Sequence, residues 1–356
     1  MPEYVWKTNF TSQQWQSAYK SLDIHKRSLL TAWEQGQAFK KAGFEIFRLG
    51  IYENQKPKAL ILVINTPAKR GRFLKVFVNF SDDSPPEALF RSLIERLKSL
   101  ASETSAIFIN LASCLMNTAN NMDLMTKFKL RLSLINLTTP STLKLDLTDL
   151  SEESLFRGKR YAKLRYEIRQ AEDNNLSVTV DNSLSGIESF LKIHQLTQHR
   201  QKFVQEPLSF IKIQALEFFK ANKLHLYLVH EEDNSEALAS AVMIDLEGER
   251  SYLYGGSSTR GQTVGASYLL QKQAISDALK QGLSVYNLWG VAPPKATSKH
   301  NFYGLTIFKS KFTRVRYDYL PTYTLSIKKL HYLLFWILTR LEKNTLLRHL
   351  LFKFRH

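Results

Sequence analysis

Apolar and polar residues change their spacing along this chain in a way that separates strands from helices. The clearest passage runs from Arg250 to Phe312. Ser251 to Tyr254 alternate and are rich in aromatics, as a strand does. Gly255 and Gly256 follow, and are expected to break that strand and let a ligand approach the backbone. From Gly265 to Leu279, the residues Leu269, Leu270, Ala274, Ile275 and Ala278 recur at the spacing of a buried helix face. Gln281-Gly282 is a helix stop, and Val285 to Trp289 reads as the next buried strand. Strand, helix, strand makes a crossover unit, with the helix N-terminus aimed at whatever binds at the Gly255–Gly265 loop.

The same grammar recurs on both sides. Thr11 to Lys41 reads as helical, with Trp15, Tyr19, Leu22, Leu29, Leu30, Trp33 and Phe39 as buried positions and Gly43 as its close. FEIFRLGIYE and ALILVINTPA form a hairpin around Asn54-Gln55-Lys56-Pro57. Lys69, Arg70, Arg72 and Lys75 cluster around the start of the strand Leu74 to Phe80. A helix follows Pro85-Pro86 to about Leu100, then the buried strand AIFINLAS. From Asn117 to Thr139 the pattern loosens. A helix from about Asp149 to Glu172 opens with acids and then carries Arg157, Lys159, Arg160, Lys163, Arg165 and Arg169, ending at Asn174-Asn175. Next come the strand LSVTVDN, helices over Ser185 to Phe203 and Pro207 to Asn222, and a hairpin turning at Asp233-Asn234-Ser235. RVRYDYLPTYTLSI reads as a strand pair returning to the first half, and Lys328 to His356 as helical. The second half therefore repeats the plan of the first. The expected division is 1–148 and 149–314 as two α/β domains of one fold, with 315–356 as return strands and basic amphipathic helices.

A chain of 356 residues suits two domains, and 44% hydrophobic residues suffice for packed cores. The net charge of +17 changes the picture more, because it calls for an anionic partner: nucleic acid, an anionic membrane face or a phosphorylated substrate. From Lys328 onward, Lys328, Lys329, Arg340, Lys343, Arg348, Lys353 and Arg355 face one acid, Glu342, with Leu, Phe and Trp between them. That is the profile of an interfacial helix, or of a terminal helix packing on the first domain. The longest apolar run, Leu330 to Leu338, is broken by His331 and is too short to span a bilayer. The single cysteine, Cys114, fits the cytosol and a buried, inert thiol. The nine histidines show no paired ligand spacing, so no metal is expected, and no cofactor is expected either.

The stretches KLRYEIRQAEDNNLSV, YLYGGSS, GASYLLQKQAISDALKQGLSVYNLWGV and GLTIFKSKF resemble the Fem-type (FemABX) aminoacyltransferases. The resemblance covers most of the chain, including the Trp33–Gly36–Lys40 helix, and is strongest from Leu155 to Phe312. It implies two tandem GNAT-like domains with mixed sheets. The short space between Phe203 and Leu226 implies the subtype without a coiled-coil arm. It also implies transfer of an amino acid from aminoacyl-tRNA to the amine of a peptidoglycan precursor, lipid-linked or UDP-linked; a cytoplasmic monomer is expected, with the basic tail as its contact to the inner membrane face. By position, the family's Phe-Lys pair matches Phe308 and Lys309, and its glycine-turn tyrosine matches Tyr254 beside Gly255 and Gly256. Its Arg-Tyr-x-x-Arg pattern matches Arg165, Tyr166 and Arg169, and its phosphate-holding lysine matches Lys40 or Lys41. Trp289 and His300 complete the substrate-binding set. Three departures bear on the acceptor. The usual phosphate-gripping Arg and Tyr fall near Glu206 and Phe210, the usual Tyr-Asp is Tyr286-Asn287, and Ser310, Lys311 and Thr313 replace glycines.

An amine attacking an aminoacyl ester passes through a tetrahedral oxyanion, which needs aligned reactants and fixed positive charge. Lys309 is the candidate for that charge or for holding the tRNA 3′ phosphate. Phe308 is a candidate stacking surface and Tyr254 a hydrogen-bond partner of the acceptor, each with ordinary packing as its alternative. Asp245 and Asp277 are the candidate bases, and a structural role is the stronger reading of each. Two rival readings stand beside this one. Gln262 to Ser267 nearly matches the pyrophosphate loop of acyl-CoA N-acyltransferases, and the basic surfaces suit a non-catalytic membrane- or RNA-binding protein.

Overall fold

The computed structural model describes residues 3–68, 71–201, 206–232 and 236–343. The chain divides into two units, 1–140 with 319–356, and 141–318. The first begins with β1 (Val5–Lys7), α1 (Ser12–Lys20) and α2 (Trp33–Lys41). It continues through β2 (Glu45–Glu53), β3 (Lys56–Ala68), β4 (Gly71–Phe80), α3 (Glu87–Glu103), β5 (Ala106–Ser113), α4 (Ala119–Lys127) and β6 (Arg131–Leu132). The second unit opens with β7 (Ser141–Asp146), α5 (Ala162–Asp173), β8 (Leu176–Val180), α6 (Leu184–Gln201), α7 (Leu208–Lys220) and β9 (Leu224–Glu231). It closes with β10 (Ala239–Leu246), β11 (Glu249–Ser257), α8 (Thr259–Thr263), α9 (Ala266–Lys280), β12 (Val285–Val291), α10 (Tyr303–Ser310) and β13 (Arg316–Asp318). The chain then returns to the first unit as β14 (Tyr323–Ser326) and α11 (Lys329–Lys343).

Each unit is built on one seven-stranded mixed sheet, ordered β1-β2-β3-β4-β5-β14-β6 and β13-β7-β12-β11-β10-β9-β8. In each, a parallel pair lies among antiparallel neighbours, β4 with β5 and β11 with β12. α3 covers the first sheet with Leu89, Phe90, Leu93, Ile94, Leu97 and Leu100, a stripe at helical spacing, all buried against Leu74, Val76, Ile109 and Leu111. α9 does the same in the second, and all five of its expected positions are buried.

Several boundaries differ from the sequence expectation. The first division falls at 140/141 rather than 148/149, because β7 pairs with β12 and β13 in the second sheet. The last falls at 318/319 rather than 314/315, because β13 belongs there too. The expected helix from Thr11 to Lys41 is two helices, parted where the side chains of Asp23 and Ser28 accept from the backbone of His25 and Leu30. The basic helix starts only at Ala162, since Gly158 turns the chain at φ +89. The loose stretch after Asn117 holds α4 and β6. Lys69, Arg70, Phe203, the turn at Asp233-Asn234-Ser235, Arg348, Lys353 and Arg355 lie outside the described residues, as do the side chains of Glu342 and Lys343.

Candidate functional site

The two parallel pairs differ in one respect that locates a site. β4 and β5 pair along their length, from Arg72 with Ala106 to Val78 with Ser113. β11 and β12 pair only from Glu249 with Val285 to Ser251 with Asn287. Beyond that point β11 runs on with β10, and β12 with β7, so the two strands part. Two irregularities accompany the parting. On β12 the register slips between Asn287 and Gly290, and Trp289 takes a left-handed φ of +61. On β11 Tyr252 faces Met243 and Tyr254 faces Val242, leaving Leu253 as an extra residue.

The bulge decides where the tyrosines go. Two residues apart on a regular strand, Tyr252 and Tyr254 share a face. Here Tyr252 packs with the core beneath α9, whereas the Tyr254 ring meets Phe190 and His194 of α6, with ring centroids 6.4 and 5.7 Å away. Burial pushes the Tyr252 phenol up to about 12. Burial and then the Glu206 carboxylate raise that of Tyr254.

Lys309, in the last turn of α10, lies where the strands part. It is 4% exposed. Its Nζ donates to the Gly290 carbonyl of β12 at 2.9 Å and sits 5.2 Å from the centroid of the Tyr252 ring on β11. One amine thus touches both separated strands. Desolvation lowers its pKa to about 7.

A buried network holds the backbone where the two strands part. The Asn287 side-chain oxygen accepts from Thr142 at 2.6 Å and from the Trp289 backbone at 2.8 Å, which holds Trp289 in its left-handed turn. Its amide donates to Glu249 at 2.8 Å, and Glu249 pairs with the buried Lys144 at 2.7 Å. This gives Asn at 287 a physical reason, since an aspartate would face Glu249 with a second negative charge.

The remaining sequence candidates scatter. Phe308 packs between Tyr268 and Phe312 in the core, at centroid distances of 5.0 and 5.4 Å. Gly255 and Gly256 do not break β11, which continues to Ser257. They admit protein rather than leave space for a ligand: a Cβ on Gly255 falls 1.9 Å from the Tyr252 hydroxyl, and one on Gly256 falls 3.1 Å from the Ile193 carbonyl of α6. Arg165 donates to the carbonyls of Phe156 and Gly158, so it secures the turn before α5. Tyr166 is exposed and accepts from Gln170, and Arg169 is exposed. His300 accepts from the backbone of Phe302 in the loop before α10. Glu206 is exposed, and Phe210 is buried in α7. Lys40 and Lys41 are exposed at the C-terminus of α2, in the first unit. Asp245 is bound by Arg250 and His225, and Asp277 accepts from Tyr227 and Gln273. In the near-match to a pyrophosphate loop, Gly265 brings α9 against the Glu167 carbonyl of α5. Among the described residues no group of three His, Cys, Asp or Glu side chains converges on a metal position. Tyr252 was not singled out from the sequence, because alternation alone makes it equivalent to Tyr254 and the bulge at Leu253 is silent there.

Two units, each on a mixed sheet and one with an opened parallel pair, make a tandem GNAT-like fold. The chain is similar to FemX, with 14% identity over 93% of this chain and 99% of that one and a TM-score of 0.77. It is also similar to a tandem GNAT protein from the clavulanic acid biosynthesis pathway (6% identity, 91% and 99% covered, TM-score 0.57). A third similar structure is L-PGS from Bacillus licheniformis (18% identity, 84% and 92% covered, TM-score 0.52). No curated protein matches the chain. The FemAB family model matches residues 213–340, a segment that contains β11, β12 and α10. The family match and the tandem fold are independent observations that agree with each other.

Proposed function

We infer that this chain is an aminoacyltransferase of the Fem type, which moves an amino acid from aminoacyl-tRNA to the amine of a peptidoglycan precursor stem peptide with the ester carbonyl beside Lys309. The observation that carries this reading is the buried Lys309 amine bridging the parted strands β11 and β12, inside the FemAB-matched segment. The acceptor nitrogen attacks the ester carbon, and the carbonyl π pair moves onto oxygen. Collapse of that intermediate breaks the bond to the ribose oxygen, which leaves on the tRNA and takes a proton, while the attacking nitrogen gives one up. Lys309 in its ammonium form stabilises the oxyanion and has a proton at hand for the leaving oxygen. The ester is already activated, so a covalent enzyme intermediate is not needed. The Gly290 carbonyl orients the amine, and the Asn287 network holds the Trp289-Gly290 turn in place. A basic chain suits a tRNA donor, and such a donor places the reaction on the cytoplasmic side.

The test incubates purified protein with total charged tRNA and, separately, a lipid-linked muropeptide, a UDP-linked muropeptide and phosphatidylglycerol vesicles, followed by mass spectrometry. A gain of one or more aminoacyl masses on a muropeptide is expected. Gain on phosphatidylglycerol alone moves the acceptor to a lipid headgroup, and no gain anywhere contradicts the activity. Acetyl-CoA is expected to leave the melting temperature unchanged; a clear rise points instead to acyl-CoA-dependent N-acylation.

A further inference from the structure

α11 has two apolar faces, and among the described residues only one of them packs on the first unit. Tyr332 and Phe335 pack on Phe73 and Phe108 of the first sheet, with centroid distances of 5.3 Å from Phe108 to Tyr332 and 4.8 Å from Phe108 to Phe335. Leu330, Leu333, Leu334 and Ile337 stand at i, i+3, i+4 and i+7, a continuous stripe on the helix, and are 80%, 52%, 56% and 40% exposed. Scattered exposed leucines need no explanation, whereas four in register on one helix form a patch. At 100° per residue, Lys329 and Arg340 fall along one border of this stripe, and Arg340 lies over the Trp336 ring at 4.1 Å. From Tyr319 to the last residue the sequence holds one acid, Glu342, against seven lysines and arginines. A second copy of this chain would bring like charges together along that border. An anionic surface answers them.

We propose that α11 is a docking helix for an anionic lipid bilayer. It lies in the plane of the interface, with Leu330, Leu333, Leu334 and Ile337 inserted among the acyl chains and Lys329 and Arg340 at the headgroups. Among the described residues no helix is long and apolar enough to cross a membrane, so this is contact with one leaflet. Tryptophan and arginine side by side suit the boundary between hydrocarbon and headgroup. The surface does not depend on the transfer reaction assigned to the second unit.

Flotation of the full-length protein with vesicles of equal parts phosphatidylglycerol and phosphatidylcholine, and with pure phosphatidylcholine vesicles, tests this. The wild type is expected to float with the anionic vesicles, at least about tenfold more than with neutral ones, and to be released by salt. Leu333→Glu/Leu334→Glu is expected to abolish flotation while the far-UV circular dichroism and melting temperature stay unchanged, because both side chains face solvent. Lys329→Glu/Arg340→Glu is expected to lower it by about tenfold or more. Wild-type flotation by the leucine variant, or none by the wild type, overturns the proposal. So does a wild-type dimer in analytical ultracentrifugation that the leucine variant dissociates, since the patch then belongs to a second copy.

Discussion

Lys309 is the residue at which burial, geometry and charge meet. Its amine leaves water for one carbonyl and the face of one ring, and its pKa falls from 10.5 to about 7. The fold therefore carries a cost. In the unfolded chain the lysine titrates near its ordinary value, so below pH 7 both states are charged and the full penalty is present. Between 7 and 10.5 the unfolded state holds more protons, and stability rises with pH. Lys309→Met is thus expected to raise stability below pH 7 by an amount on the order of 5 kcal/mol, from the pKa difference. The gain shrinks as pH climbs toward 10.5, measurable by urea denaturation across that range. A gain independent of pH contradicts the assignment. Asn287→Asp is the complementary change. It sets a carboxylate against Glu249 and is expected to cost about 1–3 kcal/mol at neutral pH, and less near pH 4, in the same assay. Sequence reading singled out Lys309 through a resemblance to the Fem-type Phe-Lys pair and recorded Asn287 as a departure from that pattern. The reason for the asparagine is Glu249, 38 positions away, and only the fold makes the two neighbours.

At the scale of elements, pattern carried most of the information where a residue has one dominant use. The buried stripes of α3 and α9 are written in their spacing, because a helix against a sheet must hide one face. The glycines of β11 are different. Their type says that something comes close but not what, and here it is α6 and the Tyr252 ring. Gly256→Ala pushes a methyl into the α6 backbone and is expected to destabilise the protein by about 1–3 kcal/mol, read from the shift in urea midpoint. A loss below a few tenths of a kcal/mol would mean that α6 moves freely there. The parting of β11 from β12 was illegible for a similar reason. Pairing is a relation between strands, and neither sequence reveals where it stops.

Across the whole chain, the tandem plan was legible because strand and helix periods repeat in the same order in both halves. The discontinuity of the first unit was visible only as a returning strand pair, and its partners were not. β14 sits between β5 and β6, with Tyr323 and Leu325 buried and Thr324 donating to Asn110. A chain ending at Asp318 leaves β5 with an open edge beside a hydrophobic core. Such a truncation is expected to aggregate or to lose the cooperative melting of the first unit, checked by calorimetry and light scattering. A truncated chain that melts like the intact one would show that β14 adds nothing to this sheet.

The central claim is that acyl transfer takes place at the amine bridging the parted strands. Single-turnover transfer from pre-charged tRNA to the accepted muropeptide, comparing wild type with Lys309→Ala, addresses it directly. If Lys309 is the oxyanion donor proposed above, its loss lowers the rate by about a hundredfold or more, with tRNA and muropeptide binding retained. Transfer by the variant at the wild-type rate would contradict it.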